Sequence, residues 1–277
     1  MLPELVAAVP HLTPAERRVA ETVVAEPTLV AFGTVAEVAA RSSASGPTVV
    51  RFATKLGFDG FVGLQQAVQA SVAERLQRAA DRIRLDAGDD PVTVARATAM
   101  ANVAGAFGDL DRDDLAAPAG LLSDPSATVW ILTSEAARPV GHTLSHGLAM
   151  LRPRVRSLGG SPVAVAREVL DAGDGDVAVV VDFPRYERWV LDAARSLGGA
   201  GVALVVLTDG PLSPLAEGAT ALLEVPVAPI GPFDSNVGAV ALAEALVAEV
   251  ASLRRDLATE RLDRSEDAWS TLFRPPA

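Results

Sequence analysis

The chain has 277 residues, no cysteine and a formal net charge of −11, with 49% hydrophobic residues and only 4% aromatic. The apolar content excludes a disordered chain, and the lack of cysteine excludes disulfides and thiolate metal sites. No uncharged apolar run of about 18 residues is present to cross a bilayer, and the acidic balance excludes a surface that coats nucleic acid indiscriminately.

The length predicts two modest domains. The start of the chain has no basic stretch followed by a long apolar core, so no signal peptide is expected and the cytoplasm is the expected compartment. The charge is uneven. Residues 1–77 hold six Lys/Arg against seven Asp/Glu, so most of the negative charge lies further on. Between residues 41 and 56, Arg41, Arg51 and Lys55 occur without an acidic neighbour. A local basic face on an acidic chain is compatible with a small, targeted DNA contact.

The N-terminal segment reads as a helical unit. Thr13-Pro14-Ala15-Glu16 is a capping box with proline at the first helical position, which predicts a helix to about Ala25, ended by Pro27. A second box, Thr34-Val35-Ala36-Glu37, opens a short helix to about Arg41. Ser42-Ser43-Ala44 reads as a tight turn. Ser45 then caps a third helix, with Gly46 and Pro47 in its first turn and Gly57 as its left-handed stop. A fourth helix begins at Asp59 or Gly60.

Residues 78–91 read as a linker ending in Gly88-Asp89-Asp90-Pro91. Helices over about 92–108 and just after Asp111-Arg112-Asp113-Asp114 follow. Beyond Ser123-Asp124-Pro125 the pattern alternates. Strands are expected at Thr128–Thr133, Val155–Leu158, Val177–Asp182, Val202–Thr208 and Ala221–Val225. Helices are expected at about 139–152, 162–171, 184–198, 212–218 and 234–258. Continuous β-branched strands separated by helices predict a parallel sheet covered on both faces, a doubly wound α/β domain with five strands. The expected organisation is therefore an all-α domain over 1–77, a linker over 78–91, an α/β domain over 92–260 and a loosely ordered tail over 261–277.

The pair of helices Thr34–Arg41 and Ser45–Leu56 has the dimensions of a helix-turn-helix. Val49, Phe52, Ala53 and Leu56 are spaced i, i+3, i+4, i+7 and form a buried stripe. Pro47, Val50, Arg51 and Thr54 lie opposite, with Thr48 and Lys55 at the edges. One guanidinium there suits a guanine edge or a phosphate, and hydroxyls suit phosphates. The spacing alone fits a DNA reader and an ordinary helical bundle with a solvated arginine equally well.

The residues running from Leu12-Thr13-Pro14-Ala15-Glu16-Arg17-Arg18 through Ser45-Gly46-Pro47-Thr48-Val49-Val50-Arg51-Phe52 to Lys55-Leu56-Gly57-Phe58 resemble the N-terminal domain of RpiR/MurR-type regulators. These join a helix-turn-helix to a sugar isomerase (SIS) domain, and the resemblance covers nearly the whole chain. It implies DNA contacts at Ser45, Thr48, Arg51 and Lys55, beside Thr54 from the wheel. It implies a double-stranded DNA operator and, as effector, a phosphosugar or related carbohydrate derivative, with a non-sugar ligand or no ligand as the alternatives; no cofactor is expected. A homodimer or homotetramer is expected because paired recognition helices read two half-sites. The helices near 92–108 and 234–258 are the candidates for the subunit interface.

In a doubly wound sheet the ligand lies beyond the C-terminal strand ends where the strand order reverses. For an order 2-1-3-4-5 the loops there offer Ser134, Glu135 and Arg138 after the first strand and Asp182, Arg185 and Tyr186 after the third. Thr208 and Ser213 follow the fourth, and Asp234, Ser235 and Asn236 precede the last helix as pocket residues or, the favoured reading, as its cap. Thr208-Asp209 with Ser213-Pro214-Leu215-Ala216 resembles SIS domains of this family. Two departures stand out. Phosphosugar-binding SIS domains have a glycine-rich first loop and a Ser-x-Ser-Gly-x-Thr second loop, whereas this chain has Glu135 in the first and Asp182 and Pro184 in the second. Both changes oppose an anion at that place, and Arg138, Arg185 and Arg188 are the charges that could compensate.

His142 and His146 stand i, i+4 on one predicted helix, a metal-binding spacing without an identifiable third ligand. They are expected to line the pocket or a packing face, with no metal. Three functions remain open from sequence: a ligand-responsive DNA-binding regulator, an aldose–ketose isomerase using Glu135, His142 or Asp182, and a protein-interaction module. The first is the expected one, which makes the chain a non-enzyme.

Overall fold

The structure is a computed structural model that describes residues 12–76, 79–85, 88, 90–108, 110–211 and 213–272. The end of the expected tail (273–277), Leu212 of the expected 212–218 helix, and 78, 86, 87 and 89 of the expected linker lie outside the described residues. Two compact units are present, one of Met1–Arg82 with Pro211–Pro214 and one of Ile83–Gly210 with Leu215–Ala277.

In the first unit, helices α1 (Pro14–Ala25), α2 (Pro27–Phe32), α3 (Val35–Arg41), α4 (Gly46–Lys55) and α5 (Gly60–Leu76) follow in order. Both capping boxes form: Thr13 and Thr34 accept from the N–H of Glu16 and Glu37, whose carboxylates accept in return. Pro27 stops α1 and also opens α2, a helix the sequence reading did not foresee. Proline lacks the N–H that a continuing helix needs, but fits a new first turn. Val19, Val23, Val30, Val38, Val49, Phe52, Ala53, Leu64 and Val68 form the core. Gly57 has a φ of 90°, the left-handed stop its place required.

Helices α6 (Ala79–Leu85), α7 (Pro91–Phe107) and α8 (Arg112–Ser123) precede the sheet. Helix α6 occupies part of the stretch expected to be linker. Then come β1 (Val129–Thr133), α9 (Arg138–Leu151), β2 (Val155–Leu158), α10 (Pro162–Glu168) with a 3-10 turn at Val169–Asp171, and β3 (Val177–Val181). Last come α11 (Arg188–Gly199), β4 (Ala203–Thr208), β5 (Ala221–Glu224), α12 (Val237–Leu253) and α13 (Arg255–Leu272). All pairings are parallel and the order is β2-β1-β3-β4-β5, so the expected five-stranded doubly wound sheet is present.

The two faces alternate residue by residue. Val129, Ile131, Val179, Val181, Val205 and Leu207 meet the cluster that includes α8, α9 and α12. Trp130, Leu132, Val180, Leu204 and Val206 meet the cluster that includes α11. Helix α12 also packs against α7, closely enough that a Cβ on Gly238 would lie 2.7 Å from the Asn102 carbonyl oxygen.

Three expectations need correction. Residues 213–218 form turns, since a stretch that short, with Pro214 inside and Gly218 at φ 85°, does not sustain a helix. Helix α11 starts at Arg188, four residues late, because Pro184 and the left-handed Arg185 (φ 80°) hold the chain in a loop. The expected helix over 234–258 breaks at Arg254, and α13 then runs to Leu272 through the segment expected to be loose. Ala258 of α13 is buried, and Arg261 donates twice to the Ala149 carbonyl of α9, which ties that helix down.

Candidate functional site

Helix α4 is set by its cap and its stripe. Ser45 accepts from the Thr48 N–H, and Val49, Phe52 and Ala53 are fully buried. The preceding turn puts Ser43 at φ 48°, and Arg18 donates to the carbonyls of Ser42 and Ser43 at 3.2 and 2.9 Å, so the turn is clamped from α1. Arg51 and Thr54 are exposed, opposite the stripe. Arg51 reaches back to the Thr48 hydroxyl at 3.3 Å, and Thr54 bonds its own helix at the Val50 carbonyl.

One of the candidate DNA contacts is placed otherwise than the wheel implies, and a second is engaged within the domain. Thr48 is buried, and its hydroxyl is 2.8 Å from that of Ser45, so it completes the cap. Lys55 is paired with Glu16 of α1 at 3.0 Å. The Thr13 backbone N–H and then Lys55 lower the Glu16 carboxyl from 4.5 to about 2. The face open to solvent is centred on Arg51, with Ser45, Pro47, Val50 and Thr54 around it and Lys55 at its edge.

In the α/β unit the loops after β1 and β3 meet where the strand order reverses. Ser134 is buried at the end of β1, its hydroxyl close enough to Asp182 to favour the ionised carboxylate but without a hydrogen bond of ordinary geometry. Asp182 is buried too. Its two oxygens accept from the N–H groups of Phe183 (2.8 Å) and Glu187 (2.9 Å), yet burial dominates and pushes its carboxyl up. Glu187, just ahead of α11, caps no N–H of that helix. It accepts instead from the Glu135 N–H at 2.8 Å across the two loops, and from the Trp189 indole.

Further contacts tie these loops to neighbouring segments, and the other candidates differ in exposure. Tyr186 donates to Asp209, which ties the β3 loop to the end of β4, and the buried Thr208 hydroxyl is 3.4 Å from the same carboxylate. Arg138 pairs with Glu135 at the surface. Arg185 is exposed, Ser213 is buried and Asp234 is half-buried. Helix α12 begins after Asn236, whose amide donates to the Ala136 carbonyl at 2.7 Å, so it braces the first loop rather than capping the helix. Sequence reasoning missed Glu187 as a site residue, and favoured the cap for Asn236, which the structure does not show. The only local hint for Glu187 was a carboxylate directly before a predicted helix.

His142 and His146 stack at 6.1 Å and are both exposed, so among the described residues neither is packed against another helix of this chain. Among the described residues no group of three potential ligands could hold a metal, and no helix is long and apolar enough to cross a membrane.

Residues 1–75 match the helix-turn-helix domain of the rpiR family, and residues 135–249 match the SIS domain. Together they define the class: a helix-turn-helix regulator carrying a sugar-isomerase-type domain. The chain belongs to the RpiR-type transcriptional regulators. Among solved structures it is similar to the Vibrio vulnificus NanR protein complexed with ManNAc-6P, at 19% identity, 99% coverage of both chains and a TM-score of 0.60. It is similar to the sugar isomerase domain of an RpiR transcription factor from Sphaerobacter thermophilus, at 24% identity over 64% of this chain and 98% of that one, with a TM-score of 0.58. A third likeness is to the E. coli CFT073 protein c3406, at 16% identity over 59% of this chain and 89% of that one, with a TM-score of 0.51. At these identities the structures establish the fold. No curated protein sequence matches the chain.

Proposed function

We propose that the chain binds an operator in double-stranded DNA through α4, and that a small carbohydrate derivative held at the C-terminal ends of β1, β3 and β4 changes that affinity. The observation that carries the first part is the solvent face of α4, centred on Arg51, in a domain that matches the rpiR helix-turn-helix. The second part is supported by the meeting of four loop segments at the switch point of the sheet, and by the phosphosugar-type ligand named for the NanR structure.

A homodimer or homotetramer would present paired recognition helices to two half-sites. The exposed Val92, Val94 and Met100 of α7 support an interface there. Ligand would act by favouring one arrangement of the paired domains over another.

The role is non-catalytic. Isomerisation needs a carboxylate or imidazole free to move a proton beside a carbonyl. Asp182 has both oxygens committed to backbone N–H groups, Glu135 is exposed and paired, and both histidines are exposed.

The test is selection of bound duplexes from a random DNA library, followed by fluorescence anisotropy on the enriched sequence at several salt concentrations. Binding should fall steeply with salt, as phosphate contacts release counterions. No enriched sequence, or saturable aldose–ketose turnover over a sugar-phosphate panel, would overturn the reading.

A further inference from the structure

The loops at the switch point present backbone N–H groups of the kind that hold a phosphate in α/β folds. Here those donors are taken from within. The Glu135 N–H, three residues before α9 begins, donates to the Glu187 carboxylate at 2.8 Å. The N–H groups of Phe183 and Glu187 donate to the Asp182 carboxylate at 2.8 and 2.9 Å. The Trp189 indole also donates to Glu187, which fixes that carboxylate in place.

We propose, on the basis of the regulator reading above, that the Glu187 carboxylate occupies the position a ligand phosphate would take, and that this SIS domain selects an unphosphorylated, hydroxyl-rich carbohydrate. Two physical terms act together. A phosphate entering here meets donors already satisfied, so it would have to break charge-assisted hydrogen bonds before making its own. It also approaches the charges of Glu187 and Asp182, where desolvation strengthens repulsion. Of the three arginines that could offset this, Arg138 pairs with Glu135 at 3.0 Å and Arg188 lies 3.7 Å from Asp192. Arg185, exposed in the β3 loop, is one cation set against the carboxylates of Glu135, Asp182 and Glu187.

The same carboxylates suit a different ligand. A carboxylate oxygen holds more than one hydrogen bond, and Glu135, Glu187 and Asp209 can accept from sugar hydroxyls or from a protonated amino group. The site is thereby inverted, from a donor cradle for an anion to an acceptor surface for a polyol or an amino sugar. Glu187 is the specificity-determining residue, and Asp182 positions the loop that carries it.

The experiment uses the full chain and calorimetric titration. The probes are inorganic phosphate and three matched pairs: glucose, glucosamine and N-acetylmannosamine, each with and without a 6-phosphate. The wild type is expected to show no saturable heat with phosphate and to bind an unphosphorylated member more tightly than its 6-phosphate. Glu187→Ala frees the Glu135 N–H and should tighten phosphate and 6-phosphate binding at least about tenfold. Glu187→Gln keeps an acceptor but removes the charge, so it should give a smaller gain in the same direction and serves if the alanine variant folds poorly. Wild-type chain that binds a 6-phosphate more tightly than its parent sugar, or variants that bind phosphate no better than wild type, would overturn the proposal. Operator binding is measured alongside by anisotropy: its absence in wild type sinks the regulator reading, whereas its presence beside tight phosphosugar binding sinks only the ligand class.

Discussion

The ammonium of Lys55 donates to the carboxylate of Glu16 at 3.0 Å, pinning the last turn of α4 to the first turn of α1. The same carboxylate closes the Thr13 capping box, so one side chain serves a local cap and a contact 39 positions away. This makes the attitude of α4 dependent on an acid whose proton affinity is low.

The consequence is a pH window. The Glu16 carboxyl is lowered from 4.5 to about 2 in the folded chain. An acid with a depressed folded pKa contributes stability above its unfolded value and loses it as the pH falls through the folded one. The helical unit should therefore hold this contribution above about pH 5 and lose it progressively toward pH 2. Trp130, Trp189 and Trp269 all lie beyond Ile83, so the transition is to be followed by far-UV circular dichroism rather than tryptophan fluorescence. Glu16→Gln should flatten the pH dependence in that window. An identical slope in wild type and variant would count against the pair.

Arg51 and Lys55 should separate in a binding assay. Arg51→Ala removes the guanidinium from the solvent face of α4 and should weaken operator binding by about 1–3 kcal/mol with an unchanged melting temperature. Lys55→Ala breaks a partly exposed ion pair, and should lower the stability of the helical unit by about 1 kcal/mol. Equal melting temperatures for the two variants would contradict this division.

Gly141 lies where α9 crosses β1. A Cβ there would sit 2.6 Å from Thr133 Cγ2 and 3.3 Å from its hydroxyl. Gly141→Ala gains helix propensity of about 1 kcal/mol, but overpacking costs about 1–3 kcal/mol, so the net effect should be destabilising. Thr133→Ser removes the colliding methyl and should restore most of the loss. A denaturant-melt double-mutant cycle without coupling between the two positions would show that the contact relaxes by itself.

Arg185 holds a left-handed backbone without being glycine. Relief of that strain by Arg185→Gly should stabilise the α/β unit by about 1 kcal/mol, which Arg185→Ala cannot do. If the guanidinium touches the effector, both variants should lose the ligand-induced change in operator affinity at the ligand concentration that saturates wild type. A retained response in either would remove Arg185 from the site.

Much of the architecture is legible in sequence because local and global signals agree. The threonine–glutamate boxes, Ser45 and the β-branched runs mark elements by their own chemistry. What escaped was decided by tertiary contacts or by residues with two uses. Pro27 ends one helix and begins another. Helix α13 is strongly polar and packs through few residues, among them Ala258 and Arg261. The loops at the switch point of the sheet are recognisable by their place in the topology and by their odd composition. The bond that matters most there joins Glu187 to a backbone N–H 52 positions away, and no spacing rule reports it. Thr48 shows the limit of a helical wheel, which cannot see that a capping serine draws the next hydroxyl inward.

Asn102 carries a last consequence. Its side chain is buried in α7, donating to the Ala228 carbonyl at 2.8 Å and accepting from the Ala228 N–H at 3.0 Å. The stretch that matches the SIS domain begins only at residue 135 and so omits α7. A sensor fragment trimmed to those borders would leave both polar groups of Ala228 without their partner and strip the cover from α12. A usable fragment should start ahead of Pro91, and in that sense the recognisable module and the unit able to fold alone are different lengths of the same chain.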